Sequence, residues 1–454
     1  MVQTKTKNKY EIDMCNGPLL GKIIIYTIPL MLSGILQLLF NAADIIVVGR
    51  FAGNVALAAV GSTGALINLI VNVFIGLSVG TNVMVAHHYG AKQYKELSDV
   101  IHTAITTALV SGIFLIFAGC FLAKPALTLM GTPDDVINHS VLYMRIYFIG
   151  MPATMLYNFG SAILRAVGDT KRPLYYLLGA GIINVFLNLI FVIVFHMAVA
   201  GVALATVISQ VISAVLVIRC LIRTEGYLHL DIKQLRIEKN KLVKMIQIGL
   251  PAGLQGALFS ISNMLIQSSV NSFGSVVMAG NTAGSNIEGF VYTAMNAFYQ
   301  TAISFTGQNY GSRQFKRIAK IALVCLSSVC IVGLVLGNGA YLLGPILLKL
   351  YSDDPEVISF GLLRMKYLAT CYFACGMMDV MVGLMRGMGY SVLPMIVSLS
   401  GACLFRVVWV MTVFKYFGTL DSLYSSYFIS WVLTFSIHFI CFITVYRKLL
   451  KRNS

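Results

Sequence analysis

Apolar residues run through this chain in long unbroken blocks, not as alternating strands or as one-sided helical stripes. Blocks long enough to cross a bilayer, roughly 20 residues each, fall at 21–48, 55–85, 100–123, 141–164, 174–195 and 199–221. A polar stretch, 223–242, follows. Six more blocks then fall at 245–270, 277–306, 318–348, 361–385, 392–417 and 422–446. The pattern predicts an all-α integral membrane protein of twelve transmembrane helices.

The second set of blocks repeats the first about 221 residues later. HHYGAKQYK (87–95) matches QNYGSRQFK (308–316), TLMGTPDDV (128–136) matches KLYSDDPEV (349–357), and LRAVGDTKRP (164–173) matches MRGMGYSVLP (385–394). Pro29 in the first block falls opposite Pro251 in the seventh. Six spans per unit is an even number, so both units insert the same way round, and the fold is expected to be two six-helix bundles in a parallel repeat with a cleft between them. The domains predicted are an N-terminal lobe (1–222), a cytoplasmic connector (223–244) and a C-terminal lobe (245–454).

Composition agrees: 58% of the 454 residues are apolar and 11% charged, with a mean hydropathy of +0.82, whereas a soluble domain carries about 25% charge. The formal net charge of +16 would suggest nucleic acid for a soluble chain, but these basic residues sit between apolar blocks, and no nucleic-acid partner is expected. With the N-terminus placed inside, 25 of the 33 Lys and Arg lie on the inner side, 7 on the outer, and Arg406 within the eleventh span. The positive-inside rule therefore predicts a multi-pass protein of the cell membrane with both termini cytoplasmic. The first twenty residues show no short apolar core before a small-residue cleavage site, so no removable signal peptide is expected. Nine cysteines, mostly within apolar blocks, read as packing residues and not as bridges or a metal framework. Cys371 and Cys375 share a helix face without a histidine or acid partner, adjacent His87 and His88 face different ways, and no metal site is predicted. The chain lacks a GxxxxGK[ST] phosphate loop and any nucleophile–base set, which speaks against an enzyme.

Function is best sought among polar groups kept in the hydrocarbon, where an ionisable side chain costs at least ~2.5 kcal/mol. Of seventeen Asp and Glu, only Asp44, Glu288 and Asp379 lie in predicted spans. Gln37, Asn41 and Asp44 share one face of the first span, beyond the bend expected at Pro29. They read either as interhelical glue or as a titrating site. Asn184 and Asn188 share a face of the fifth span, and the Thr206 hydroxyl of the sixth can join them. In the eighth span Ser285, Glu288, Tyr292, Asn296 and Tyr299 form a stripe suited to a wet cavity, with Glu288 as its charge; the alternative is a buried, neutralised acid. Asp379 lies seven residues before Arg386, as Asn158 lies seven before Arg165, so it is either a substrate contact or a structural bracket. Arg406 is expected to pair with a carboxylate or to snorkel to an interface. Gly76 and Gly80 form a GxxxG close-packing motif, which is common in spans.

The twelve spans, the parallel repeats, the first-span PLMLSGILQLLFNAADIIVVGR and the paired LRAVGDTKRP and MRGMGYSVLP segments together resemble the MATE (multidrug and toxic compound extrusion) transporters of the MOP type. The likeness covers nearly the whole chain. Its N-terminal half is similar to the DinF-like branch, and GMMDVMVGLMRGMGYSVLP and GACLFRVVWV are similar to members from Firmicutes. The resemblance implies that Asp44, fifteen residues after the kinking Pro29, is central to cation coupling, with Asn184 and Thr206 at matching positions. Three positions depart from the family pattern. A second N-lobe carboxylate is replaced by Asn188, the seventh-span acid of the NorM-like branch is missing near Phe259 and Ser260, and a tenth-span acid would fall near Cys375, one turn before Asp379.

The function expected is a secondary antiporter, with no cofactor beyond its coupling ion, proton or sodium, that exports organic cationic amphipathic compounds. Asp44, Asn184, Asn188 and Thr206 would bind the ion. Gln37, Asn41, Glu288, Tyr292, Asn296 and Asp379 would contact substrate, and Pro29 and Pro251 would serve as hinges. The expected partners are small organic cations and membrane lipid, with the chain acting as a monomer. The alternative is a flippase of lipid-linked precursors in the same superfamily; a passive channel fits the bent, duplicated design less well.

Overall fold

The computed structural model describes residues 10–453, and its described residues form helices joined by short turns, with no strand. The first half holds α1 (Leu19–Phe51), α2 (Gly53–Gly90), α3 (Tyr94–Leu129), α4 (Asp134–Ile149), α5 (Met151–Ala166), α6 (Lys171–Leu189) and α7 (Ala198–Arg223). The second holds α8 (Lys239–Asn271), α9 (Ser275–Gly311), α10 (Phe315–Leu342), α11 (Gly344–Lys349), α12 (Pro355–Tyr367), α13 (Tyr372–Gly387), α14 (Val392–Ser398), α15 (Phe405–Trp409), α16 (Lys415–Phe417) and α17 (Leu420–Asn453). A π-helical segment, Ile190–Val194, extends α6, and two more, Leu399–Leu404 and Val410–Phe414, weld α14 to α16 into one span.

Twelve spanning segments result, and ten helices among the described residues are long and apolar enough to cross a membrane on those grounds alone. The fourth segment is not the single helix the sequence predicts. It parts at Gly150, because Pro152 sits in the first turn of α5 and has no N–H to continue α4. The eighth, α9, carries the polar stripe. The tenth is likewise interrupted, by the 3-10 turn Ala369–Cys371 between α12 and α13.

The repeated motifs are repeated turn devices. After α2 and α9 the chain reverses through Lys92 (φ 57°) and Arg313 (φ 59°), 221 residues apart, each a left-handed residue closing a helix end. The next residue donates its N–H five residues back, Gln93 to His88 O and Gln314 to Asn309 O, both at 2.9 Å. Gly168 (φ 102°) and Gly389 (φ 90°) do the same after α5 and α13, and Gly168 lies so close to the Ile12 backbone that a Cβ would meet its carbonyl at 2.5 Å.

The chain forms two compact units that do not follow the halves of the sequence. One comprises Leu32–Gly253 with the described residues up to Asp13; the other comprises Met14–Met31 with Leu254–Ser454. Two of the three boundaries fall two residues beyond a proline, Pro29 in α1 and Pro251 in α8, and both helices run unbroken through them. A proline removes one rung of the helical ladder, so each shared helix is weakened close to where it changes unit.

In the first unit the leading half of α8 seats on α2 through four glycines. Gly76 and Gly80 face Gly249 and Gly253, and a Cβ on Gly249 would stand 2.6 Å from Leu77 Cα and 2.7 Å from Gly76 O. Even one methyl group must push the helices apart. Gly249→Leu is therefore expected to cost about 1–3 kcal/mol, measured as a lowered thermal unfolding midpoint in detergent, while substitution at Gly64, where a Cβ meets nothing, leaves the midpoint unchanged. In the second unit the leading half of α1 meets α9 through hydroxyls: Tyr26 donates to Ser304 at 2.8 Å, Thr27 and Thr301 share a hydrogen bond at 2.8 Å, and Tyr26 stands edge-on to Phe305 at 5.4 Å.

The polar connector is tied to α3. Asp231 N donates to His102 Nε2 at 3.1 Å, Arg236 pairs with Asp99 at 2.6 Å, Glu238 N donates to Thr103 at 3.1 Å, and buried Lys241 pairs with Glu96.

Candidate functional site

Asp44 lies in the second half of α1, where α1 meets α6 and α7. Gly181 permits the approach, because its missing side chain leaves room for the Phe40 ring, which a Cβ would strike. One turn of α1 beyond Phe40, the half-buried Asp44 carboxylate accepts a hydrogen bond from Asn188 Nδ2. Asn188 Nδ2 also reaches Asn184 Oδ1 at 3.3 Å, and the Thr206 hydroxyl lies 3.5 Å from Asp44 Oδ2 while donating to its own Val202 carbonyl at 3.0 Å. Asn184 and Asn188 are buried. The π-helical turn begins two residues after Asn188, and such turns recur at functional sites.

Asp44 of α1 is thus brought against Asn188 of α6, 144 positions away, and Thr206 of α7, 162 positions away. Asn188 Oδ1 is buried without a hydrogen-bond partner. The amide turns its Nδ2 toward Asp44 and Asn184, so its oxygen is acceptor capacity that the cluster leaves unused. Gln37 and Asn41 lie on the same face of α1, exposed from the protein and without hydrogen bonds among the described residues.

The second half does not repeat this cluster. The positions matching Asp44, Asn188 and Thr206 hold Ile266, Trp409 and Tyr427. Its charge lies elsewhere, and here the sequence reading needs correction. Glu288 is not the charge of an open stripe: it is 1% exposed, and Glu288 Oε2 accepts from Arg364 Nη2 at 2.8 Å and Nε at 3.1 Å. Arg364 Nη1 also donates to Asn281 Oδ1 at 2.8 Å, and the Tyr424 hydroxyl donates to the same oxygen at 3.1 Å. Arg364 lies near the start of the tenth predicted block, where hydropathy reports no partner; burial and pairing place it inside the unit. Ser285 and Tyr292 are exposed, and Asn296 accepts from Gln300 at 3.1 Å.

Asp379 is half-buried on α13 and makes no hydrogen bond or ion pair among the described residues. Arg386, two turns later, donates to the Tyr299 hydroxyl and to Gln255 Oε1 at 2.7 Å. Arg406 neither snorkels nor finds a carboxylate. It is 2% exposed, donates from Nε to Ser430 at 2.9 Å, and lies over the rings of Tyr427 (4.2 Å) and Trp431 (5.6 Å).

A duplicated helical bundle of twelve spans with isolated ionisable groups in its interior defines a multi-pass membrane transporter. The sequence matches the MatE family over residues 29–190 and again over 251–412, and the chain belongs to that family. It is 28% identical over 389 residues to "Probable multidrug resistance protein YpnP" of Bacillus subtilis (strain 168), covering 85% of this chain and 86% of that one. It is 28% identical over 382 residues to "Probable multidrug resistance protein YoeA" of the same strain, covering 83% and 82%. Among solved structures, the outward-facing conformation of a multidrug resistance MATE family transporter of the MOP superfamily superposes with a TM-score of 0.91 at 20% identity, covering 98% of this chain and all of that one.

Proposed function

We propose that this protein is a cation-coupled antiporter that exports organic cationic, amphipathic compounds across the cell membrane, with Asp44 as the ion-binding group. The observation that carries the reading is the Asp44–Asn188–Thr206 cluster with its unpartnered Asn188 oxygen; the relatives' names supply the class of cargo. A charged Asp44 accepts from Asn188, with the Thr206 hydroxyl 3.5 Å away. Once protonated it becomes a donor, and turning the Asn188 amide over brings its unpartnered Oδ1 round as the acceptor. One proton thus exchanges one hydrogen-bond pattern for another among α1, α6 and α7, which is what an ion must do to bias a two-state bundle. The same oxygens, with Asn184 Oδ1, suit a hard cation such as sodium; the single carboxylate favours the proton.

In the second unit Asp379 and the exposed ring of Tyr292 are the contacts proposed for a cationic substrate, the carboxylate by charge and the ring by its face. Both termini are placed on the cytoplasmic side by the distribution of Lys and Arg, and the protein acts as a monomer.

Everted vesicles carrying the protein test the reading with a fluorescent cationic dye, first under an imposed pH gradient and then under an imposed sodium gradient. Dye accumulation driven by the pH gradient is expected. Accumulation under sodium alone would replace the proton by sodium, and none under either gradient would overturn the reading and redirect it to lipid-linked precursors.

A further inference from the structure

The interior of the second unit carries one positive charge too many. Arg364, Arg386 and Arg406 are buried there, against the carboxylates of buried Glu288 and half-buried Asp379. Glu288 is committed to Arg364, and no carboxylate lies within ion-pair distance of Arg406 among the described residues. Arginine does not shed its proton to relieve burial as lysine can, and an isolated charge in a low-dielectric interior is costly unless paired. Arg406 has only a serine hydroxyl and the faces of two rings, and its Nη2 is buried without any hydrogen-bond partner.

Its surroundings suit a guest. Two π-helical segments, Leu399–Leu404 and Val410–Phe414, flank α15, which carries Arg406. Such wide turns are rare and recur at functional sites. The ring faces lie over the guanidinium and offer its edge no acceptor, so the buried Nη2 donor is left unsatisfied. The matching position in the first half, 221 residues earlier, is Val185, so the charge belongs to this half alone.

We propose that Arg406 is the core of a site for a small monovalent anion in the second unit, closed on its sides by Tyr427, Trp431 and Ser430. The anion neutralises the excess guanidinium and takes the free Nη2 donor in a charge-assisted hydrogen bond. Its source is either free halide or the carboxylate of a transported compound. The site does not depend on the export reading: it is defined by binding, and it holds whether or not dye is moved.

The chain supplies its own probe, since Trp409 and Trp431 are its only two tryptophans and Trp431 touches the site. Tryptophan emission of the purified full-length protein in detergent is to be titrated with chloride and separately with acetate, at constant ionic strength held by sulfate. A saturable change is expected with at least one of them, chloride pointing to free halide and acetate alone to a substrate carboxylate. In Arg406→Gln the apparent affinity should fall about tenfold or more. Arg406→Lys, which keeps the charge but loses the planar fork, should bind with intermediate affinity, and covers the case in which the glutamine variant does not fold. A linear, non-saturating response in the wild-type protein, or a saturable one unchanged in the folded variants, overturns the proposal.

Discussion

Asp44→Asn should reduce gradient-driven dye efflux to the level of vesicles lacking the protein, while the protein still folds and still binds dye. Asparagine has nearly the shape of aspartate and keeps an oxygen for the Asn188 amide, so the contact among α1, α6 and α7 survives. What is lost is the capacity to exist in two charge states. Without it the ion has no differential affinity for the two conformations, and a ligand that favours neither state shifts nothing. The measurements are efflux in everted vesicles, dye binding by fluorescence polarisation in detergent, and the thermal midpoint. Loss of efflux with binding and midpoint retained is the expected pattern. Efflux that persists at the wild-type rate would remove Asp44 from the coupling scheme. Thr206→Val should have a far smaller effect, because its hydroxyl is 3.5 Å from the carboxylate and already serves the Val202 carbonyl.

Arg364→Met is expected to destabilise the protein by about 3–5 kcal/mol, because it strands the Glu288 carboxylate inside the second unit. That carboxylate has one oxygen bound to Arg364 and the other, Oε1, already without a partner, so no neighbour can take over. Asn281 would lose its contact with Arg364 as well. The double variant Glu288→Leu with Arg364→Met should recover most of the loss, since replacing both members of a buried pair by apolar side chains of similar volume is often neutral. Thermal unfolding in detergent and the fraction of monodisperse protein report the effect. A single variant that melts with the wild type would show that Glu288 finds another partner. If Glu288 contacts substrate, the double variant should lose transport despite recovering stability; as the ion pair is a bracket, transport is expected to return.

The number of spans, their order and the twofold repeat were legible in the sequence because each is a local property. A helix in hydrocarbon must satisfy its own backbone and present apolar side chains, and the left-handed turn at Lys92 and again at Arg313 is written in the residues around it. The members of the Asp44 cluster stood out for a related reason, though their meeting was implied only by the family resemblance. Polar side chains in a bilayer are few, and i, i+4 spacing already puts Asn184 and Asn188 on one face.

Partners distant in sequence were not legible. Glu288 and Arg364 are 76 positions apart, and hydropathy, which reports how polar a residue is and not what it touches, leaves one in an open stripe and the other near the start of a span, without a partner for either. Gly76 and Gly80 are a common motif until tertiary packing sets them against Gly249 and Gly253. Sequence alone sends Arg406 to an acid or to an interface, and only the folded packing of Tyr427, Ser430 and Trp431 shows it doing neither. The units themselves were the least legible. The sequence repeat divides the chain near its middle, but contacts assign the leading half of α1 to the second unit and that of α8 to the first. Sequence by itself determined which segments are helices and which enter the membrane, since solvent transfer acts on each residue where it stands. Tertiary structure alone decided which charges are paired and which helices are shared, because those depend on the few side chains that packing brings within about 4 Å of one another.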